Sequence, residues 1–431
     1  MNANAPIQIL GAGLTGMSAA HHLEGLARVH ERLAHAGGHA ITLAEDGFRF
    51  DRTGHLLHLR DPQMKEWVTK LIGDDAVWVQ RKSLIFSHGV YTRYPYQANT
   101  YGLPADVAYE CLMGFLDALA KKDSVPTPTN FEEFCLKHFG EGFSKHFMIP
   151  YNSRLWGVHP REITAEWCSR FVPMPKLEDV IAGAVGKNAR ELGYNTGFLY
   201  PKRGIGELPS AMAKSLGDTI RYSRSPERVD WRNKKLVFSD GEVPYAALIS
   251  TMPLDTLVGL MHDVPASVAS ASKKLRCNPL WYLDVALDVP CGIDLHWVYV
   301  PEEKYPFYRV GCYSNFSDEM APPGKSCLYV ELASRDEPNM AELLPVVARG
   351  LMDMQIISKP EDIRFARPRF LRHAYVLYDH DYYPAVEAIH PFLLENGIVS
   401  AGRYGAWNYS SMEDALIFGR NAAAQARKIL G

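Results

Sequence analysis

The feature that most constrains this chain lies at its start. IQILGAGLTGMSAAHHLEG, residues 7–25, is a four-residue apolar strand, a glycine turn and a small-residue helix. Gly11, Gly13 and Gly16 form G-x-G-x-x-G. The first glycine permits a tight turn and the second lets backbone approach a pyrophosphate. The third lets helix pack on strand, with the helix N-terminus facing the anion. ARVHERLAHAGG then places Glu31 at the end of a second strand, about twenty residues on, where a carboxylate accepts from a ribose and repels a 2′-phosphate. A glycine turn that only packs a helix is the plainer reading. The strand before, the helix after and the acid at the right distance argue for a dinucleotide site instead.

The rest of the composition narrows the class. The 431 residues suffice for two or three packed lobes. Hydrophobic residues make up 47% and charged residues 22%, and the net charge of −3 lacks the basic surplus of a nucleic-acid binder. Seven scattered cysteines with no C-x-x-C suggest neither a zinc site nor a disulfide framework, and fit reduced thiols in a cytoplasmic protein. The first strand begins too early for a signal peptide, and no apolar run reaches the roughly 18 residues of a spanning helix. The His21–His22 pair has no second ligand pair, so no metal is expected.

A second glycine pair, Gly37–Gly38, follows Glu31, and the chain ends on NGIVSAGRYGAW and a long helix. This order resembles the glutathione-reductase-like FAD flavoproteins. The resemblance implies an α/β fold: a Rossmann-like FAD domain built from residues 1–60, 196–275 and 393–431. A mainly helical lobe (61–195) and an antiparallel-sheet lobe (276–392) are inserted into it. It assigns Gly11, Gly13, Thr15, Gly16, Glu31, Arg32, Gly38, Val229, Gly402, Arg403 and Met412 to the cofactor. Helical spacing in ADVAYECLMGFLDALAKK, a cap at Thr129 or Asn130, and a hairpin turn at Asp240–Gly241 fit that layout.

Six stretches then match one subfamily in order: RYPYQAN (93–99), IPYNSRLWGV (149–158), NTGFLYPKRG (195–204), ISTMPLDTL (249–257), WVYVPEEKYPFYR (297–309) and GRYGAWNY (402–409). Together they resemble the UDP-galactopyranose mutases, the eukaryotic type in particular. The resemblance implies interconversion of UDP-galactopyranose and UDP-galactofuranose through a reduced-FAD N5–sugar adduct, with no net redox change. NADPH or NADH is a possible reductant, although no independent nicotinamide motif is present. No G-x-S-x-G or H-E-x-x-H signature competes with flavin chemistry.

By the same resemblance, Arg309 grips the pyrophosphate, as a permanent planar cation suits two phosphate oxygens. The plainer reading is a core arginine paired with Glu302 or Glu303. Arg170 is the best match for a second phosphate arginine, with Arg161 and Arg203 as fallbacks. Tyr299, Tyr383 (or its neighbour Tyr382) and Tyr409 match phenols on the diphosphate. Tyr94 and Gln97 match the nucleobase end, and Asn152, Trp156 and Asn195 match further pocket residues. His55 matches a histidine beside the flavin. Loop closure is expected at 168–178 and 188–197. Two departures stand out: Thr53–Gly54 replaces two glycines before His55, and Glu413 stands near a shorter Asn or Asp, where its length would change which sugar hydroxyl is held. The competing readings are an oxidase of the amine oxidase or protoporphyrinogen oxidase type and a flavoprotein that binds a nucleotide sugar without turnover.

Overall fold

The computed structural model describes residues 6–168, 172–187 and 197–431. The opening strand β1 (Ile7–Leu10) sits at the centre of a five-stranded parallel sheet. Its neighbours are β13 (Ala247–Ser250) and β2 (Ala27–His30). The edges are β19 (Ile398–Ser400) and β9 (Ile220–Arg221), giving the order β19-β13-β1-β2-β9. The strands β1 and β13 are buried along their whole length, as expected for parallel strands covered on both faces. Helix α1 (Leu14–His22) packs so closely on this sheet that a Cβ on Gly16 would lie 1.9 Å from the Gly11 carbonyl oxygen.

The far end of the chain closes on the same unit. Helix α6 (Met412–Leu430) starts with a capping box in which Asp414 N donates to Ser411 Oγ and Ser411 N donates to Asp414 Oδ2. It then docks on α1, where Ser18 Oγ donates to the Leu416 carbonyl at 2.7 Å across 398 residues of sequence.

A second, seven-stranded sheet runs β18-β14-β17-β16-β15-β6-β7. Its members are β18 (Ile363–Val376), β14 (Cys277–Leu287), β17 (Ser326–Leu332), β16 (Phe307–Cys312), β15 (Trp297–Tyr299), β6 (Ser83–Ser87) and β7 (Val90–Arg93). All pairs are antiparallel except β15 with β6. The register sets Tyr299 opposite Arg309 and Arg309 opposite Glu331. Directly opposed residues share a face, so three functional side chains stand in one row.

Helices α2 (Pro62–Ile72), α3 (Ala105–Lys121), α4 (Phe131–Phe143) and α5 (Ile149–Trp156) fill much of the segment read as helical. Asn130, not Thr129, caps α4, with its Oδ1 accepting from Glu133 N at 3.0 Å. Three strands also come from this segment. β5 (Ala76–Gln80) pairs with β8 (Gly197–Pro201), and β6–β7 join the large sheet through a turn at His88 (φ 54°) and Gly89 (φ 77°). Two positive φ values in succession are the mark of a type I′ hairpin turn.

Between the two sheets lies the hairpin β3 (Thr42–Glu45) and β4 (Phe48–Asp51). Asp51 ends β4 almost wholly buried. Its Oδ1 accepts from Thr42 Oγ1 at 2.6 Å and Ile205 N at 3.1 Å, and its Oδ2 is 2.6 Å from the Tyr200 hydroxyl. Burial pushes its carboxyl up to about 7. Between about pH 4 and 7 the folded chain therefore holds a proton that the unfolded chain has released. The stability present below the unfolded value is lost as pH rises through about 7. The Asp51→Asn variant mimics the protonated acid. Urea unfolding at pH 5, 7 and 8.5 is expected to show a flatter pH dependence for D51N than for the wild type. Equal slopes would contradict this.

Candidate cofactor and substrate site

One cavity of about 1130 Å³ reaches from the glycine turn after β1 to α5 and the large sheet. Small-molecule pockets hold roughly 300–1,000 Å³, so this one has room for two ligands side by side. Among the described residues eight arginines line it, against the carboxylates of Glu31 and Asp414 alone. Three arginines have carboxylate partners: Arg60 on Glu413, Arg224 on Asp240 and Arg309 on Glu331. Among the described residues Arg32, Arg52, Arg81, Arg372 and Arg403 make no ion pair, in a chain whose net charge is −3. Converging unpaired cations focus a field that concentrates anions.

The first end of the cavity is shaped for a dinucleotide. Gly11 (φ +101°) makes the turn that only glycine adopts readily, with its would-be Cβ 2.4 Å from Thr251 Oγ1. A Cβ on Gly13 would meet nothing, although this residue lines the cavity. Gly38 lies against Gly13. Glu31 lines the cavity from a buried position, held by Ala12 N (2.8 Å) and Leu33 N (2.9 Å). Thr15, Arg32, Gly402, Arg403 and Met412 line the same cavity. The Arg403 guanidinium donates to the carbonyls of Ser410 (2.8 Å) and Ala374 (2.9 Å) and lies 4.7 Å from the Tyr409 ring centroid. Nearby, His39 Nδ1, His55 Nδ1 and Ser410 Oγ are buried without hydrogen-bond partners among the described residues. Burial and the Arg403 charge hold His55 down at about 4, and burial holds His39 at about 3, so both rings are neutral at pH 7. Orphaned polar atoms, unpaired arginines and an open glycine cradle fit a dinucleotide carrying a polar ring system.

Two cofactor assignments fall elsewhere. Gly16 serves helix packing instead of the cavity wall. Val229, on β10 (Arg228–Asp230), is wholly buried and donates its N–H to the Leu260 carbonyl at 2.9 Å. The cavity there is walled by Arg224, Ser225 and Pro226.

At the other end, the Tyr299–Arg309–Glu331 row meets Tyr375 of β18. Arg309 Nη2 donates to Glu331 Oε1 at 2.5 Å and to the Tyr375 hydroxyl at 2.9 Å. Glu331 is fully buried and Arg309 is 18% exposed. A guanidinium has five N–H donors. With Nη2 committed, Nη1 and Nε have no partner among the described residues. The charged partner is Glu331 of the adjacent strand, not Glu302 or Glu303. Tyr375 stacks on Tyr409 at 6.1 Å, and burial keeps the Tyr299 and Tyr375 phenols protonated. Tyr94 packs against Tyr299 (5.4 Å), with Arg81 at 5.5 Å from its ring centroid. Asn152 and Trp156 line the wall from α5, and the Trp156 Nε1 is buried without a hydrogen-bond partner among the described residues.

Some expected residues take other roles. Gln97 lines the cavity, but its amide donates to the Pro173 carbonyl at 2.7 Å, so it anchors the adjoining segment. Tyr383 is not in the wall and packs edge-on against Tyr382, whereas Tyr375 lines the cavity beside Arg309. Glu413 turns away from the cavity, accepting from Arg60 N and Asp61 N to fix the entry to α2, so its length does not reach a sugar. Arg170 and Asn195, with parts of both loops expected to close, lie outside the described residues. Tyr375, Glu331 and Arg81 were missed. The alignment of Tyr375 and Glu331 depends on strand register, and Arg81 lies in the short β5–β6 connection; none carries a local motif.

The model of the flavin containing amine oxidoreductase family matches residues 14–427. The chain belongs to this family. Among solved structures, a reduced UDP-galactopyranose mutase is 26% identical, with a TM-score of 0.92 over 98% of this chain and 95% of that one. A candidate protoporphyrinogen oxidase from Exiguobacterium sp. 255-15 (15% identical, TM-score 0.77, 100% and 99% covered) and a putrescine oxidase bound to putrescine (14%, 0.66, 97% and 98%) share the fold. Family membership makes this a flavoprotein, and its α/β architecture is that of the mutase structure. Among the described residues no helix is long and apolar enough to cross a membrane, and no group of three or more His, Cys, Asp or Glu could hold a metal.

The two glycines predict opposite outcomes. Gly13→Ala has room in the protein and an ordinary backbone (φ −75°), so its apoprotein should melt with the wild type while FAD affinity falls at least tenfold. Gly16→Ala drives a methyl into the Gly11 carbonyl and should lower the apoprotein Tm. Calorimetry and FAD titration read the two; full FAD affinity in G13A would place the cofactor elsewhere.

Proposed function

We propose that this flavoprotein is a nucleotide-sugar mutase that interconverts UDP-galactopyranose and UDP-galactofuranose, or a closely related nucleoside-diphosphate sugar, in the cytoplasm. The observation that carries this reading is the Arg309 group. A half-committed guanidinium, flanked by protonated phenols, stands in the wall of a cavity that also holds a flavin site. The 26% identity and 0.92 TM-score to the mutase structure support it. In this reading the FAD domain is discontinuous (1–60, 196–275, 393–431), and the inserted lobes (61–195, 276–392) form the substrate half. The reductant is NADPH or NADH.

Reduced FAD, when bound, supplies the nucleophile that displaces the nucleoside diphosphate at the anomeric carbon. The chain's own residues hold what leaves. Arg309 directs Nη1 and Nε at the diphosphate while Glu331 keeps the guanidinium in place. Tyr299, Tyr375 and Tyr409 donate neutral hydrogen bonds, which grip the leaving group without adding charge that would retard its return. Tyr94 offers an aromatic face to the base, and Asn152 and Trp156 close the sugar space from α5. His55, neutral, adds no charge beside the ring. Arg170 and Asn195 complete the anion and sugar contacts in this reading.

Dithionite-reduced protein given UDP-galactofuranose without oxygen should form the pyranose with no net oxidation of the flavin. Hydrogen peroxide from an amine or porphyrinogen under air would favour the oxidase reading, and binding without turnover would favour a carrier. Removing Arg309 outright would strand the buried Glu331 carboxylate, at about 3–5 kcal/mol of stability. Arg309→Lys is the cleaner probe, because it keeps the charge and loses the fork. Its kcat/KM should fall about 10²–10³-fold, about 3–4 kcal/mol of transition-state stabilisation, with Tm near that of the wild type. Unchanged kcat/KM would remove Arg309 from the chemistry.

A further inference from the structure

Thr53 sits at φ +65°. For a β-branched residue that is a strained outlier, kept only where surrounding structure over-determines it. Thr53 N donates to the Asp51 carbonyl at 3.1 Å, and the Thr53 carbonyl accepts from His55 N at 3.0 Å and the Tyr313 hydroxyl at 3.3 Å. Tyr313 also donates to the Asp51 carbonyl at 2.6 Å. All of these are backbone contacts at Thr53, and glycine would make them without strain. The side chain serves none of them. It lines the cavity, and its hydroxyl makes no hydrogen bond to any described residue. The chain thus retains a methyl and a hydroxyl at this point against a conformational penalty.

The turn faces the cofactor end. It carries His55, and burial and the Arg403 charge lower that ring's proton affinity. His39, which follows the second glycine pair, feels both His55 and Arg52. We propose that Thr53 is a flavin-tuning residue: its hydroxyl donates a hydrogen bond to an acceptor atom of the isoalloxazine. This rests on the flavin reading of the cavity and is independent of the mutase reaction. The ring acceptors gain electron density on reduction, so a donor there stabilises the reduced form and raises the midpoint potential.

Three variants separate the hydroxyl from the strain. T53V keeps the shape and the β-branch but has no donor. T53S keeps the donor, and T53G removes both donor and strain. Midpoint potentials of the FAD-loaded proteins are measured against a reference dye, and Tm on the apoproteins. T53V and T53G should lower the reduced-to-oxidised equilibrium constant about tenfold, equivalent to about 30 mV for a two-electron couple, while T53S stays with the wild type. T53G apoprotein should melt higher than wild type, and T53V apoprotein close to it. Stoichiometric FAD with equal potentials in T53V and wild type overturns the inference, as does a T53G apoprotein that melts lower. Failure of every form, wild type included, to take up FAD overturns the cofactor reading along with it.

Discussion

Among the described residues, five guanidinium groups line one cavity without carboxylate partners, and this constraint sets the terms for the site. Like charges facing one cavity repel unless something of opposite sign joins them, and the repulsion is least screened among Arg52, Arg81 and Arg403, which are half-buried. Among the described residues only Glu31 and Asp414 line the cavity as acids, and Glu31 already accepts from two backbone amides. The N-terminus of α1 adds its own positive field at the same place. Such a site favours polyanions, which the proposed pyrophosphate-bridged cofactor and nucleoside diphosphate would supply.

The two sheets divide the work. The parallel sheet fixes the cofactor end by burying continuous apolar strands from the start, middle and end of the sequence. The antiparallel sheet fixes the other end by register, so that Tyr299, Arg309 and Glu331 fall in one row and Tyr375 closes it from β18. Glu331 decides how the row behaves. It steadies Arg309 and cancels part of its charge, and a diphosphate held by a partly neutralised arginine and neutral phenols is released more readily than one held by bare cations. Arg154 supports this from behind, donating to the carbonyls of Glu302 and Phe307 at 2.9 and 2.6 Å and also to that of Tyr305, which ties α5 to the β15–β16 connection.

How much of this was legible depended on whether the determinant was local. The glycine turn, Glu31 and the Gly402–Arg403 return each carry their signal within a few residues, and all reach the cavity. Arg309, Tyr94 and Trp156 were found through ordered stretches, not through any physical rule. Tyr375 was passed over for Tyr383 because DYYP looks like a tyrosine site, whereas which face of β18 meets the cavity depends on pairing with β14. Glu413 looked like a sugar contact by position, and its buried bonds to the entry of α2 lie more than 350 residues away in sequence. The β6–β7 hairpin was readable in principle: the short apolar and β-branched runs SLIFS and VYTR flank the turn at His88–Gly89. The helical segments around it drew it into the wrong lobe.

The account stands on an anion held at Arg309 next to the flavin. Its most direct test is a crystal structure of the FAD-loaded protein soaked with UDP. The account predicts a diphosphate within hydrogen-bond distance of Arg309 Nη1 or Nε and of the Tyr375 and Tyr409 hydroxyls, with Glu331 still on Nη2. A nucleotide bound elsewhere, with Arg309 engaged by Glu331 and Tyr375 alone, would contradict it.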